Sequence, residues 1–320
     1  MRVFVAGASG VIGRRLVPQL IERGHEVVAT TRRAEKHKSL SALGATVARM
    51  DGLDAASVGE AVARAEPDVI VHQMTALTGV SDLRRFDEEF ATTNELRTRG
   101  TDYLLAAADA VGVRRFVAQS YTGWPNERVG GAVKTERDPL DSDPPRHQRR
   151  SIEAIGYLER TVTTSSPEGL VVRYGSLYGP GTSMANEYAE LIRTRKLPVV
   201  GSGTGVWSFI HADDAAAATV RAVETGDAGL YNIVDDDPAA VATWLPYLAA
   251  VLGAKPPHRV PVWLARFAVG DVGVSVMTRV RGSSNAKARR ELGWEPRWSS
   301  WRSGFKHGLF DGVASEPVRA

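Results

Sequence analysis

Three glycines at three-residue intervals, Gly7, Gly10 and Gly13, follow directly on the apolar run Val3-Phe4-Val5-Ala6 and precede a stretch of helix formers. Few arrangements satisfy that order. The chain must leave a buried strand, turn tightly and enter a helix, and glycine is the residue for which such a turn carries no Cβ penalty. The first glycine permits the turn, the second leaves room for a ligand to approach the backbone, and the third lets helix and strand pack closely. A helix N-terminus behind such a turn presents amide hydrogens to an anion, which makes a dinucleotide diphosphate the expected occupant.

The same strand-helix rhythm continues. Strands are expected at Arg2–Ala6, Glu26–Thr30, Thr46–Met50, Val69–His72, Phe116–Gln119 and Leu170–Tyr174. Helices are expected near 11–23, 35–43, 55–65, 88–111 and 151–162. The strands are short and continuously apolar, as in a parallel sheet covered on both faces. Alternating units of this kind give an α/β class Rossmann fold, a doubly wound parallel sheet, followed here by a less regular C-terminal part expected to form a smaller substrate lobe. Residues 123–145 break the rhythm as a long, charged loop.

Composition removes several functions. The net charge of +3 over 320 residues, with 33 Arg scattered among 37 acids, gives no nucleic-acid stripe. Cysteine is absent, so thiolate nucleophiles, disulfides and Cys-metal sites are excluded. No His, Asp and Glu spacing suggests a metal. The longest apolar stretch, 260–280, carries Arg266, Asp271 and Arg279 and is a poor membrane span. A strand begins within two residues of Met1, which argues against a signal peptide, and a cytoplasmic protein is expected.

The strand-two tip identifies the nucleotide. An NAD site would place a carboxylate there for the ribose 2′-hydroxyl. The sequence VVATTRRAEK places Thr30, Thr31, Arg32 and Arg33 instead. Guanidinium forks suit a 2′-phosphate, so NADP(H) is favoured. In ARMDGLD, Asp51 can accept from the adenine amino group with Leu53 on the pocket floor; Asp54 or Ser57 is the better helix cap.

Taken together these stretches resemble the extended, epimerase/dehydratase-like branch of the short-chain dehydrogenase/reductase superfamily, over nearly the whole chain. VAGASGVIG is similar to its glycine motif, DVIVHQMTA to its fourth strand, RGTDYLLAAADAVGVRRFVAQS to its next helix and strand, and VVRYGSLYGPG to the strand and loop after that. FIHADDAAAA and AKARRELGWEP are further family marks. The resemblance implies a seven-stranded NAD(P)-binding domain of residues 1–174 plus roughly 206–236. A substrate lobe of 175–205 and 237–320 would close against it. It implies cofactor contacts at Gly7, Gly10, Val11, Ile12, Gly13, Arg32, Arg33, Asp51, Leu53, Met74, Thr75 and Tyr174, with 174–177 near the nicotinamide. It also implies a small-molecule substrate and pairing of two chains through helices such as 88–111 and 151–162.

The resemblance fails at the chemistry. The family uses a Tyr as general acid/base and a Lys four positions later to make that phenol a useful acid. No lysine here has Tyr four positions before it. In PPRHQRRSIEAIGYLER the Tyr position falls between Pro145 and Ser151 and the Lys position between Arg149 and Ile155. The supporting Asn position holds Arg97, with Asn94 about one turn earlier. Candidate substitutes are Ser120 and Tyr121 at the end of the fifth strand and His147 in the loop, with Arg149 or Arg150 supplying charge. Thr122 is a candidate substrate contact. Trp207-Ser208 stands before FIH where sugar-nucleotide members carry Arg-Asp. Trp207 therefore either stacks on a flat, apolar substrate or fills the core. Three functions follow: an atypical NADP-dependent oxidoreductase or isomerase acting on a carbonyl or hydroxyl centre of a small, fairly apolar molecule; a catalytically degenerate NAD(P)-binding regulator; and a sugar epimerase or dehydratase.

Overall fold

The computed structural model describes residues 1–77 and 82–310; the last ten positions of the expected substrate lobe, 311–320, lie outside them. Seven strands form one parallel sheet: β1 (Arg2–Ala6), β2 (Glu26–Thr31), β3 (Thr46–Arg49), β4 (Val69–His72), β5 (Arg115–Tyr121), β6 (Glu168–Tyr174) and β7 (Gly229–Ile233). They lie in the order β7-β6-β5-β4-β1-β2-β3. The order reverses at β1 and β4, and the crevice at the carboxyl ends of strands beside such a reversal is where doubly wound sheets bind ligands.

Successive side chains of a strand face opposite sides. On one side Val3 and Val5 pack with Leu16, Val17 and Leu20 of α1 (Gly13–Glu22) and with alanines of the helix Ala212–Glu224. On the other, Phe4, Ile70 and Phe116 meet α2 (Ala55–Ala65), α4 (Arg99–Val111) and α5 (Arg149–Thr163). The expected single helix over 88–111 is three pieces: Phe86–Glu89, α3 (Ala91–Arg97) and α4. The break falls at Thr98 (φ −99°, ψ −86°), whose hydroxyl donates back to the Asn94 carbonyl at 3.0 Å. Such back-bonding competes with the helical ladder.

The rest of the described chain builds a second core from Trp207, Phe209, Trp244, Trp301 and Phe305. The loop 123–145 is fastened to it. Val133–Lys134 pairs with Gly282–Ser283, Thr122 Oγ1 and Ser283 Oγ lie 2.6 Å apart, and Asn126 Nδ2 donates to the same serine at 3.0 Å. Arg128 Nε donates to Ser275 Oγ at 2.7 Å, and its guanidinium pairs with Asp141.

Candidate functional site

The turn after β1 behaves as the glycine spacing predicts, and the three glycines have three different reasons. Gly7 has φ +91°, and a Cβ there would lie 2.7 Å from the Gln73 carbonyl carbon and oxygen. A Cβ on Gly13 would lie 2.5 Å from the backbone of Ala8. Gly10 is different: it is exposed, its φ is not left-handed, and the nearest atom to a Cβ would be the Gly7 carbonyl oxygen at 3.4 Å. Nothing among the described residues demands glycine at position 10.

Nor is α1 capped by its own chain. Ile12 occupies the N-cap without a side-chain acceptor, and the first turn holds no acid. Among the described residues the amides of Val11, Ile12 and Gly13 have no acceptor. By contrast α2 is capped by Asp54, which accepts from the amides of Ala56 and Ser57. Helix ends require partners, and the open glycine together with three free donors fits a dinucleotide diphosphate. Thr30 Oγ1 steadies the turn by accepting from Gly7 N–H at 3.2 Å.

At the β2 tip Thr31 is buried and its hydroxyl accepts from the Arg33 amide. The Arg32 and Arg33 side chains are exposed and make no ion pair or hydrogen bond among the described residues. Asp51 Oδ1 accepts from Leu53 N–H at 3.1 Å, which folds Leu53 over the end of β3. Met74 is buried against Gly52 and Thr75 is exposed. His72 holds this strand end: its Nδ1 accepts from Met74 N–H and its Nε2 donates to the Leu96 carbonyl. Burial lowers its pKa to about 4, so the ring is neutral.

The residues expected to do the chemistry go to different places. Ser120 Oγ donates inward to Glu159 Oε1 at 2.8 Å, and Glu159 is forked to Arg173 at 2.7 and 2.5 Å, with both charged residues buried. Thr122 is buried and its hydroxyl is shared between Asn126 and Ser283. Tyr174 is also buried, with its hydroxyl between Gln73 Nε2 and Thr219 Oγ1. His147 is exposed on the turn before α5. Arg149 is exposed as well and pairs with Asp143.

Tyr121 alone of the three catalytic candidates combines partial exposure with a place at the β5 end, its hydroxyl 2.9 Å from Ser176 Oγ. Burial raises its pKa. Burial likewise pushes the Tyr188 phenol up to about 12. Both phenols stay protonated near neutrality.

On α5, every four-residue pair from Pro145/Arg149 to Ser151/Ile155 lacks Tyr and Lys. Ser151 is buried and engaged by Asp87 Oδ1 and Asn94 Nδ2, and Ile155 is buried among the helices. Asp87 also accepts from the amides of Arg150 and Ser151, capping α5, a role that its place in a charged run does not reveal.

The sequence also gave no notice of an aromatic wall. Trp124 stacks on Tyr121 at 5.6 Å between centroids and meets the edges of Phe86 and Phe90. Tyr188 stands edge-on to Trp207, which is buried against Trp244 with its indole N–H on the Val276 carbonyl. Tyr121, Trp124 and Tyr188 keep partial exposure, so flat rings line the space beyond β5. Among the described residues no group of three or more His, Asp and Glu could hold a metal, and no helix is long and apolar enough to cross a membrane.

Residues 3–234 match the model of the NAD dependent epimerase/dehydratase family. A Streptomyces protein named 3-diazoavenalumate denitrifying reductase is 44% identical over 310 residues, covering 95% of this chain and 99% of its own. The fold is shared with a UDP-glucose 4-epimerase of Thermotoga maritima, with a TM-score of 0.75, 22% identity and 97% of both chains covered. It is shared also with a human epimerase family protein solved with NADPH (TM-score 0.74, 21% identity, 97% of this chain and 99% of that one). With its reversed parallel sheet, its open glycine turn and a family match running from β1 past β7, this chain belongs to the NAD dependent epimerase/dehydratase family of nicotinamide-dependent enzymes.

Proposed function

We propose that this chain is an NADP(H)-dependent reductase that replaces a dinitrogen leaving group on a small, flat, apolar ring with hydrogen. One observation carries the reading: the cleft offers hydride chemistry without the Tyr and Lys pair that makes a phenol an effective proton donor. Burial makes its phenols weaker acids than a free tyrosine, the serines nearby are spent on internal hydrogen bonds, and the paired positions leading into α5 hold neither Tyr nor Lys. Carbonyl reduction and epimerisation both need a proton moved at the reacting oxygen. Reductive loss of a diazonium group does not. A nicotinamide bound there would supply the hydride, and the balance would be R–N₂⁺ + NADPH → R–H + N₂ + NADP⁺, with a C–H bond made at the carbon that loses nitrogen and the C–N electron pair departing with N₂. The 44% identical relative is named for a reduction of this type. Tyr121, Trp124 and Tyr188 supply ring faces that stack on a flat substrate and exclude water from it.

Incubation with an aryl diazonium salt and NADPH deuterated at C4 tests this. Deuterium should appear in the product at the carbon that lost nitrogen, in excess of an enzyme-free control, with N₂ released in equal amount. With no acid titrating at the cleft, kcat should stay flat from about pH 6 to 9. Oxidation of NADPH by ketones with a bell-shaped pH profile, and none with diazonium salts, would overturn the proposal.

The cofactor preference rests on the two unpaired guanidinium groups at the β2 tip. Arg32→Asp with Arg33→Ser should weaken NADPH binding by about 30-fold or more, since a charge-assisted fork is worth ~2 kcal/mol. NADH binding should change by less than about threefold, as no 2′-phosphate is involved. Equal losses for both coenzymes, measured by fluorescence titration, would refute the assignment.

A further inference from the structure

Arg97, the last residue of α3, is 6% exposed, yet its guanidinium donates only one hydrogen bond among the described residues, a long one of 3.3 Å to Asn94 Oδ1. Its other donors are not sealed in, since none of its nitrogens is both shut off from solvent and without a partner. Burial lowers its pKa to about 10, so it remains a cation at neutral pH. The nearest acid does not compensate it. Glu159 attracts Arg97, but its two oxygens already receive both arms of Arg173 and the Ser120 hydroxyl. His72 on the other side is neutral. Two buried cations therefore share one carboxylate, an arrangement that is costly unless a ligand brings acceptor oxygens.

The sheet order says which part of a ligand arrives there. A dinucleotide held at the turn after β1 and reaching Tyr121 at the end of β5 must cross the tip of β4, which lies between them. Arg97 adjoins that tip, because the residue before it accepts from the β4 histidine. The portion of the dinucleotide lying over β4 is the phosphate and ribose on the nicotinamide side. We propose that Arg97 binds this ribose-phosphate, supplying from α3 the positive charge that the missing Lys of α5 would carry. The proposal rests on the cofactor reading above and adds a residue to it.

Binding of two ligands to Arg97→Met separates the cases. NADPH carries the nicotinamide ribose-phosphate, whereas adenosine 2′,5′-bisphosphate ends before it. The variant should bind NADPH about 10- to 100-fold more weakly, bind the bisphosphate as the wild type does, and melt no lower than the wild type without ligand. Unchanged NADPH affinity, or equal losses for both ligands, would overturn the proposal and leave Arg97 a structural residue. Should Arg97→Met fail to fold, Arg97→Lys keeps the charge without the fork, and a selective loss for NADPH is again required. Failure of the wild type to bind either ligand would instead remove the cofactor reading, and this inference with it.

Discussion

Gly10→Val abolishes measurable dinucleotide binding and leaves the melting temperature of the free protein within about 2 °C of wild type. The expectation follows from the contrast among the three glycines. Position 10 has no left-handed φ, and the first atom that a Cβ would meet is 3.4 Å away, so the branched side chain grows into open space rather than into the fold. That space is where a diphosphate must approach the free amides of 11–13, and displacing it by one side chain removes several charge-assisted hydrogen bonds at once, an affinity loss of at least ~100-fold. Gly13→Val is the control. There a Cβ lies 2.5 Å from the Ala8 backbone, and steric conflict of this kind destabilises by several kcal/mol, ~4 or more. If Gly10→Val melted as low as Gly13→Val, or bound NADPH normally in a calorimetric titration, the second glycine would owe its presence to packing and not to a ligand.

Glu159→Leu has the largest expected effect on stability. It strips a carboxylate from a site holding two buried guanidinium groups, those of Arg173 and Arg97. Breaking a buried pair by removing one partner costs ~3–5 kcal/mol, which for a chain of this size lowers Tm by roughly 6–15 °C. Ser120 also loses its acceptor. Adding Arg173→Met to Glu159→Leu should recover more than half of the loss, because the uncompensated charge goes with it, and the pair should show strong coupling in a double-mutant cycle. Thermal unfolding of the four proteins measures this. Additive losses would mean that the fork contributes nothing as a pair.

What could be read from the chain alone follows from how local the cause is. The sheet and its flanking helices were legible because periodicity and glycine chemistry act within a few residues: the β1 turn and the Asp54 cap lie where the sequence expects them. The break at Thr98 was not legible, since a hydroxyl that bends a helix reads no differently from one that faces solvent. The site divides in the same way. The amides of 11–13 and the bare arginines at the β2 tip are consequences of neighbouring residues. The inward turn of Ser120 depends on Glu159, 39 residues away, and the use of Thr122 depends on Ser283, 161 residues away. The aromatic wall joins Phe86, Tyr121, Trp124, Tyr188 and Trp207, which only the folded chain brings into one place. Absence proved easier to read than presence: the missing Tyr and Lys were visible as letters, whereas the arginine beside the gap gained meaning only from its thin hydrogen bonding.

The stitching of residues 122–134 to Ser283 and its neighbours ties the end of β5 to the second core through buried hydrogen bonds and a strand pairing. Parting the two cores would unmake these bonds together, so both should unfold in a single transition.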